Sequence, residues 1–173
     1  PQLQRALALN PVKIAACIKI HQLEYRLRQS GLRQVILTDY IRDEQLATGT
    51  DSGEPSLGAW PVFQALSQAT ETVPAMALLT GRLSLLPTAL VTELAAELQQ
   101  LKLTASPFAG AAHYSKLSGA LNQQTSLFTL LLNRGQIQLL IGTRALLGEG
   151  WDAPVVNSLI LATSVGSFML TNQ

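Results

Sequence analysis

The sequence predicts an α/β fold with a mostly parallel sheet covered on both faces by helices, and three observations carry that prediction. Four short apolar runs, Val35-Ile36-Leu37, Ala75 to Leu79, Ile137 to Ile141 and Leu159-Ile160-Leu161, show little polar alternation and read as strands buried on both sides. The segments between them repeat apolar residues every three or four positions, as helices that cross over a sheet do. Each run also leads into small polar residues: Thr38-Asp39, Thr80-Gly81, Gly142-Thr143 and Thr163-Ser164. In a parallel sheet these four clusters converge on one edge, and ligands of such sheets bind beyond the carboxyl ends of the strands.

Taken in order, Asn10-Pro11 is a helix entry, with Asn as cap and Pro at the first helical position. Ala16, Ile20, Leu23 and Leu27 follow at spacings of four, three and four, which continues the helix, and Gly31 closes it. After the first strand, the polar stretch Asp43 to Gly58 leads to a short helix around Trp60, Val62, Phe63 and Leu66. Beyond the second strand, Leu90, Val91, Leu94, Leu98 and Leu101 predict one amphipathic helix from Pro87 to about Lys102. Residues Leu103 to Ser118 are mixed, with room for a short strand and a loop. Leu127, Leu130 and Leu131 mark a further helix stopped by Gly135. The glycine-rich connection Gly142 to Pro154 is long enough to cross to the fourth strand.

Length and composition narrow the function classes. The chain has 173 residues, which fits one domain with its own core. Apolar residues make up 47% and charged residues 13%, which excludes an intrinsically disordered segment. That charge content lies below the roughly 25% of ordinary globular domains and points to a surface that meets a partner. The formal net charge of +1 is spread along the chain, so no basic stripe announces nucleic acid. Cys17 sits among Ile14, Ala15, Ile18 and Ile20 and reads as a small core residue. With one cysteine, no signal peptide and no long apolar run, a cytoplasmic protein without a membrane segment is expected. The start at Pro1 and the close at Leu170-Thr171-Asn172-Gln173 suggest an excised fragment.

The segment Gly142-Thr143-Arg144-Ala145-Leu146-Leu147-Gly148-Glu149-Gly150-Trp151-Asp152-Ala153-Pro154 carries the most chemistry. Its glycines let backbone N–H groups approach an anion, Thr143 offers a hydroxyl, and Asp152 can accept from sugar hydroxyls. A phosphate-and-ribose site fits these residues. So does a glycine-rich turn with a helix-capping Asp.

Gly142-Thr143 followed by Gly148-Glu149-Gly150-Trp151-Asp152 resembles motif V of superfamily 2 helicases, and Val35 to Arg42 resembles their motif IV. Ser158 to Phe168 is similar to the stretch leading to motif VI, of which Gln173 would be the first residue. The likeness is to bacterial DEAD/DEAH-box proteins related to the motor subunits of type III restriction enzymes, and it covers nearly the whole chain. It implies a RecA-like three-layer α/β/α domain, residues 1–173, forming the second motor domain of an ATP-dependent helicase or translocase that is inactive alone. It also implies nucleotide binding by Gly150 and Asp152, and contact of Thr38, Gly142 and Thr143 with the backbone of a nucleic acid, DNA in preference to RNA. Glu149 would stabilise the loop. ATP would be shared with an N-terminal RecA-like domain of the same polypeptide, and that domain would hold Mg²⁺.

The departures from the pattern are equally specific. The chain has no G-x-x-x-x-G-K-[ST] loop, no acidic box, and ends before the motif VI arginines, so it is not expected to hydrolyse ATP alone. A different class, a non-catalytic α/β scaffold with a helicase-like shape, stays open beside the motor reading. Arg42 and Arg82 follow strand ends but read as solvated surface arginines. His21 and His113 lack metal-ligand neighbours, and Trp60 and Trp151 read as core packing in preference to base stacking.

Overall fold

The computed structural model describes residues 11–38, 58–69, 75–148 and 150–162. The elements are α1 (Pro11–Arg28), β1 (Gln34–Thr38), α2 (Ala59–Ala69), β2 (Met76–Leu79), β3 (Ser84–Pro87), α3 (Thr88–Glu93), α4 (Ala95–Gln100), β4 (Thr104–Pro107), β5 (Tyr114–Ser118), α5 (Leu121–Arg134), β6 (Leu139–Thr143), α6 (Arg144–Leu147) and β7 (Ser158–Ala162). Among the described residues the strands form one seven-stranded sheet, in the order β4-β5-β3-β2-β6-β1-β7. β2, β6, β1 and β7 are mutually parallel, and β3 and β4 run against their neighbours. The architecture is therefore α/β with a mostly parallel sheet.

The period-two geometry of the strands divides the core into two layers. Val35, Leu37, Ala77, Leu79 and Leu140 face one way, where Leu90, Leu94 and Leu98 of α3 and α4 and Leu127, Phe128 and Leu131 of α5 cover them. Ile36, Met76, Leu78, Leu139, Ile141 and Ile160 face the other way, onto Cys17 of α1 and Trp60, Val62, Phe63 and Leu66 of α2. Burying each such side chain stabilises the fold by roughly 1.5–3 kcal/mol. The chain moves from β1 to β2 through α2 on one face and back from β5 to β6 through α5 on the other. Reversing the direction of travel while keeping one crossover hand requires that exchange of faces.

The four predicted strands are present, with the third shifted to Leu139–Thr143, so that Gly142 and Thr143 end the strand instead of following it. Three further strands are present: β4 and β5 occupy Leu103 to Ser118, where one short strand and a loop were expected, and β3 was not anticipated. β4 is wholly exposed and exists through pairing with β5, and β3 is drawn into the sheet by the tight turn after β2. The single helix expected from Pro87 is two short helices: Pro87 closes β3, and Leu94 (φ −96°, ψ 16°) interrupts the helical path.

In α1 the residues whose spacing marks the helix are not the ones it buries. Ile20 (43% exposed), Leu23 (56%) and Leu27 (71%) point outward together with Ala16, while Cys17 and His21 are buried against the sheet. The helix has apolar residues around most of its circumference; Ile14 and Ile18 pack beside Cys17 on the inward face, and a polar contact joins the same face to the sheet. His21 Nδ1 lies 2.6 Å from Gln34 Oε1, and Gln34 Nε2 donates to Ser158 Oγ at 2.8 Å, which ties α1 through β1 to β7. The α-helix ends at Arg28 and runs on as a 3-10 turn over Gln29–Gly31, so the helical path closes at Gly31, with Gln29 (φ 46°) in the left-handed region. Cys17 is a buried core thiol as expected, and burial pushes its pKa up. The Asn10 cap, the 43–57 part of the polar stretch, Arg42 and the clusters at Asp39 and Thr163-Ser164 lie outside the described residues.

Burial lowers the His21 pKa below its ordinary 6.5, and the Gln34 hydrogen bond offsets part of that shift. The fold thus favours the neutral imidazole. Its contribution is fully present above pH 6.5 and is lost as pH falls from there toward the lower folded-state value. Thermal melts should show a Tm a few degrees lower at pH 5 than at pH 7.5, at about 2–4 °C per kcal/mol for a chain of this size. His21→Asn should reduce that difference. An undiminished pH dependence in the variant would assign it to other groups.

Candidate functional site

The parallel register brings the ends of β1, β2 and β6 together. Leu37 and Leu79 flank Gly142 on either side, and Thr38 pairs with Thr143. Gly142 is required there by close approach: a Cβ would lie 2.8 Å from the Leu79 carbonyl oxygen, and it would collide with Leu147 Cδ1. Thr38 and Thr143 are both buried, and the Thr38 hydroxyl donates to the Gly142 carbonyl at 3.4 Å. The three residues predicted to contact nucleic acid therefore form one cluster, whose threonine side chains are buried.

The Thr80-Gly81 cluster is a turn. Thr80 Oγ1 donates to the Leu83 carbonyl at 2.7 Å and accepts from the Leu83 N–H at 2.8 Å, closing the β2–β3 hairpin. This use of the hydroxyl explains why Thr80 is buried at a strand end. Arg82, inside the turn, and Arg144, the residue immediately after Thr143, are exposed. Arg144 carried no role in the sequence reading, and only its place one step past the end of β6 distinguishes it.

The segment after α6 holds Gly150 and Asp152 outward between two anchors. Trp151 N–H donates to the Gly148 carbonyl at 3.4 Å, and Gly150 has φ 82°, a conformation that suits glycine. Trp151 itself is half-buried against the Val35–Leu140 side of the core, and its indole N–H donates to Thr129 Oγ1 of α5 at 2.9 Å. Core packing was the expectation for this residue, and the structure adds a hydrogen bond that pins the turn to α5. Trp60 is buried and stacks on Phe63, with ring centroids 5.6 Å apart.

The second anchor is Asn157. Its Oδ1 accepts from the Arg33 N–H at 3.0 Å, its Nδ2 donates to the Gly31 carbonyl at 2.8 Å, and its own N–H donates to the Arg33 carbonyl at 3.0 Å. Between these anchors Asp152 is exposed, and its carboxylate has no partner among the described residues. An exposed carboxylate can accept two or more hydrogen bonds from hydroxyl groups or pair with a cation. Glu149 lies outside the described residues.

Among the described residues no helix is long and apolar enough to cross a membrane. Compared with known proteins, the chain matches no family model, no curated protein and no solved structure.

Proposed function

We propose that this chain is a RecA-like second motor domain of a superfamily 2 helicase or translocase, which contributes one side of an ATP site and part of a nucleic-acid track. The observation that supports this reading most is the Gly150-Trp151-Asp152 turn in the connection after β6: Trp151 pins it to Thr129 of α5, and the exposed Asp152 carboxylate has no partner among the described residues. ATP, when bound, supplies the free energy of phosphoanhydride hydrolysis. Asp152 would accept from a ribose hydroxyl, and Gly150 would leave room for the nucleotide to approach the backbone. These residues fit one flank of a nucleotide. The chain has no phosphate loop or acidic box, so the phosphates and Mg²⁺ belong to another domain of the polypeptide.

On the nucleic-acid side, the buried hydroxyls of Thr38 and Thr143 shape the edge, and direct phosphate contact falls to backbone groups and the exposed Arg144 and Arg82. Closure of two such domains on ATP and their opening after hydrolysis would shift the grip on the strand. The buried threonines also suit the second reading, a scaffold with this fold and no catalytic cycle.

ATP turnover by the full-length polypeptide, with and without single- and double-stranded DNA and RNA, separates the two. The motor reading expects turnover stimulated by nucleic acid and, for Asp152→Ala, a loss in kcat/KM of about tenfold or more, equivalent to about 1.4 kcal/mol. Absence of turnover under every condition would establish the scaffold reading instead.

A further inference from the structure

The outward face of α1 carries several of the exposed large apolar side chains of the described surface, the others including Leu159 and Leu161 of β7. Ala16, Ile20, Leu23 and Leu27 are all exposed, and at 100° per residue they fall within an arc of about 60°. Their 4-3-4 spacing is that of a coiled-coil seam, in which alternate three- and four-residue steps keep knobs facing one partner helix. Cys17 and His21, on the other side of the helix, are committed to the sheet, and the stripe takes no part in the core formed by the described residues. Side chains of this size, left exposed in a row, mark an interaction surface.

The charges beside the seam select the occupant. Lys19 and Arg26, one heptad apart, run along one border, and Lys13 lies along the other. None of the three has an ion-pair partner among the described residues. The one acid on the helix, Glu24, is already bound to Arg28 at 2.6 Å. The geometry points to a docking seam for an amphipathic helix of a partner protein, with apolar residues at its a and d positions and Asp or Glu at the flanking e and g positions. A second copy would bring its own three unpaired cations to the seam. A bilayer surface suits an apolar face wider than this stripe. The seam lies on a sheet face, not at the strand ends, and so stands whether or not the motor reading does.

The test uses a fluorescent four-heptad peptide with Leu at a and d and Glu at e and g, and a twin with Lys at e and g. Like charges keep each peptide from pairing with itself. Anisotropy titrations at low salt with the full chain should show the acidic peptide binding at least tenfold tighter than the basic one. Leu23→Glu with Leu27→Glu should weaken acidic-peptide binding at least tenfold, and Lys19→Glu with Arg26→Glu should reverse the preference. All four positions are on the outward side, and circular dichroism with thermal melts checks that each variant folds. If the doubly substituted Leu variant does not fold, the charge-reversal pair decides. The proposal is overturned if folded wild type binds neither peptide, binds both equally, or keeps binding after the Leu substitutions. It is also overturned if sedimentation shows the stripe closing a homodimer, or if it binds phosphatidylserine vesicles and not the acidic peptide.

Discussion

Replacing Gly142 by Val should destabilise the chain by about 3 kcal/mol, the upper end for overpacking a well-packed interior. A new Cβ meets the Leu79 carbonyl oxygen at 2.8 Å and collides with Leu147, and the two γ-carbons of Val enlarge both conflicts. The carbonyl cannot retreat cheaply, because β2 is held between β6 and β3. Restricting the unfolded chain offsets no more than about 1 kcal/mol. Chemical denaturation should show a lower midpoint with an unchanged m-value, and Gly142→Ala should fall between wild type and Val. A Val variant as stable as wild type would mean that β2 and β6 separate more easily than their pairing implies. The same substitution perturbs the register of Thr38 with Thr143, so it cannot report on ligand binding unless stability is measured beside it.

Trp151→Ala should cost about 2–3 kcal/mol, somewhat less than truncation of a fully buried aromatic, because the ring is half-buried. Its functional cost should be larger than that of any other substitution that leaves Gly150 and Asp152 intact. Without the ring against the core and the indole N–H on Thr129, the turn that holds Gly150 and Asp152 loses one of its two anchors. Trp151→Phe separates the two contributions, since it keeps most of the packing and loses a hydrogen bond worth about 1 kcal/mol. The expected order of stability is wild type, Phe, Ala, with proteolysis in the 148–157 segment increasing in the same order. Equal protease resistance in all three would show that Asn157 alone fixes the segment.

Much of the architecture was legible because buried parallel strands leave a strong trace. Val35 to Leu37, Met76 to Leu79 and Leu139 to Ile141 are apolar on both faces, and such runs cannot be exposed at reasonable cost. β4 was not legible for the opposite reason. Thr104–Pro107 buries nothing, and its strand state comes from hydrogen bonds to β5 that composition does not encode. The candidate site was legible as a segment, since Gly142 to Asp152 stands out by its glycines and polar residues. Its orientation was not, and neither the burial of Thr38 and Thr143 nor the bond from Trp151 to Thr129 follows from spacing.

The amino-acid sequence by itself determined an α/β chain with apolar strands, amphipathic helices and small polar strand ends, because hydrophobic periodicity is a local property. Tertiary structure decided which face of α1 turns inward: Ile14, Cys17 and Ile18 pack on the sheet and His21 bonds Gln34, while Leu23 and Leu27 are left outside. It also decided that Asp152 is exposed between the Trp151–Thr129 and Asn157–Arg33 contacts, with no partner among the described residues. Such outcomes depend on contacts between residues far apart in the chain, beyond the reach of local preference.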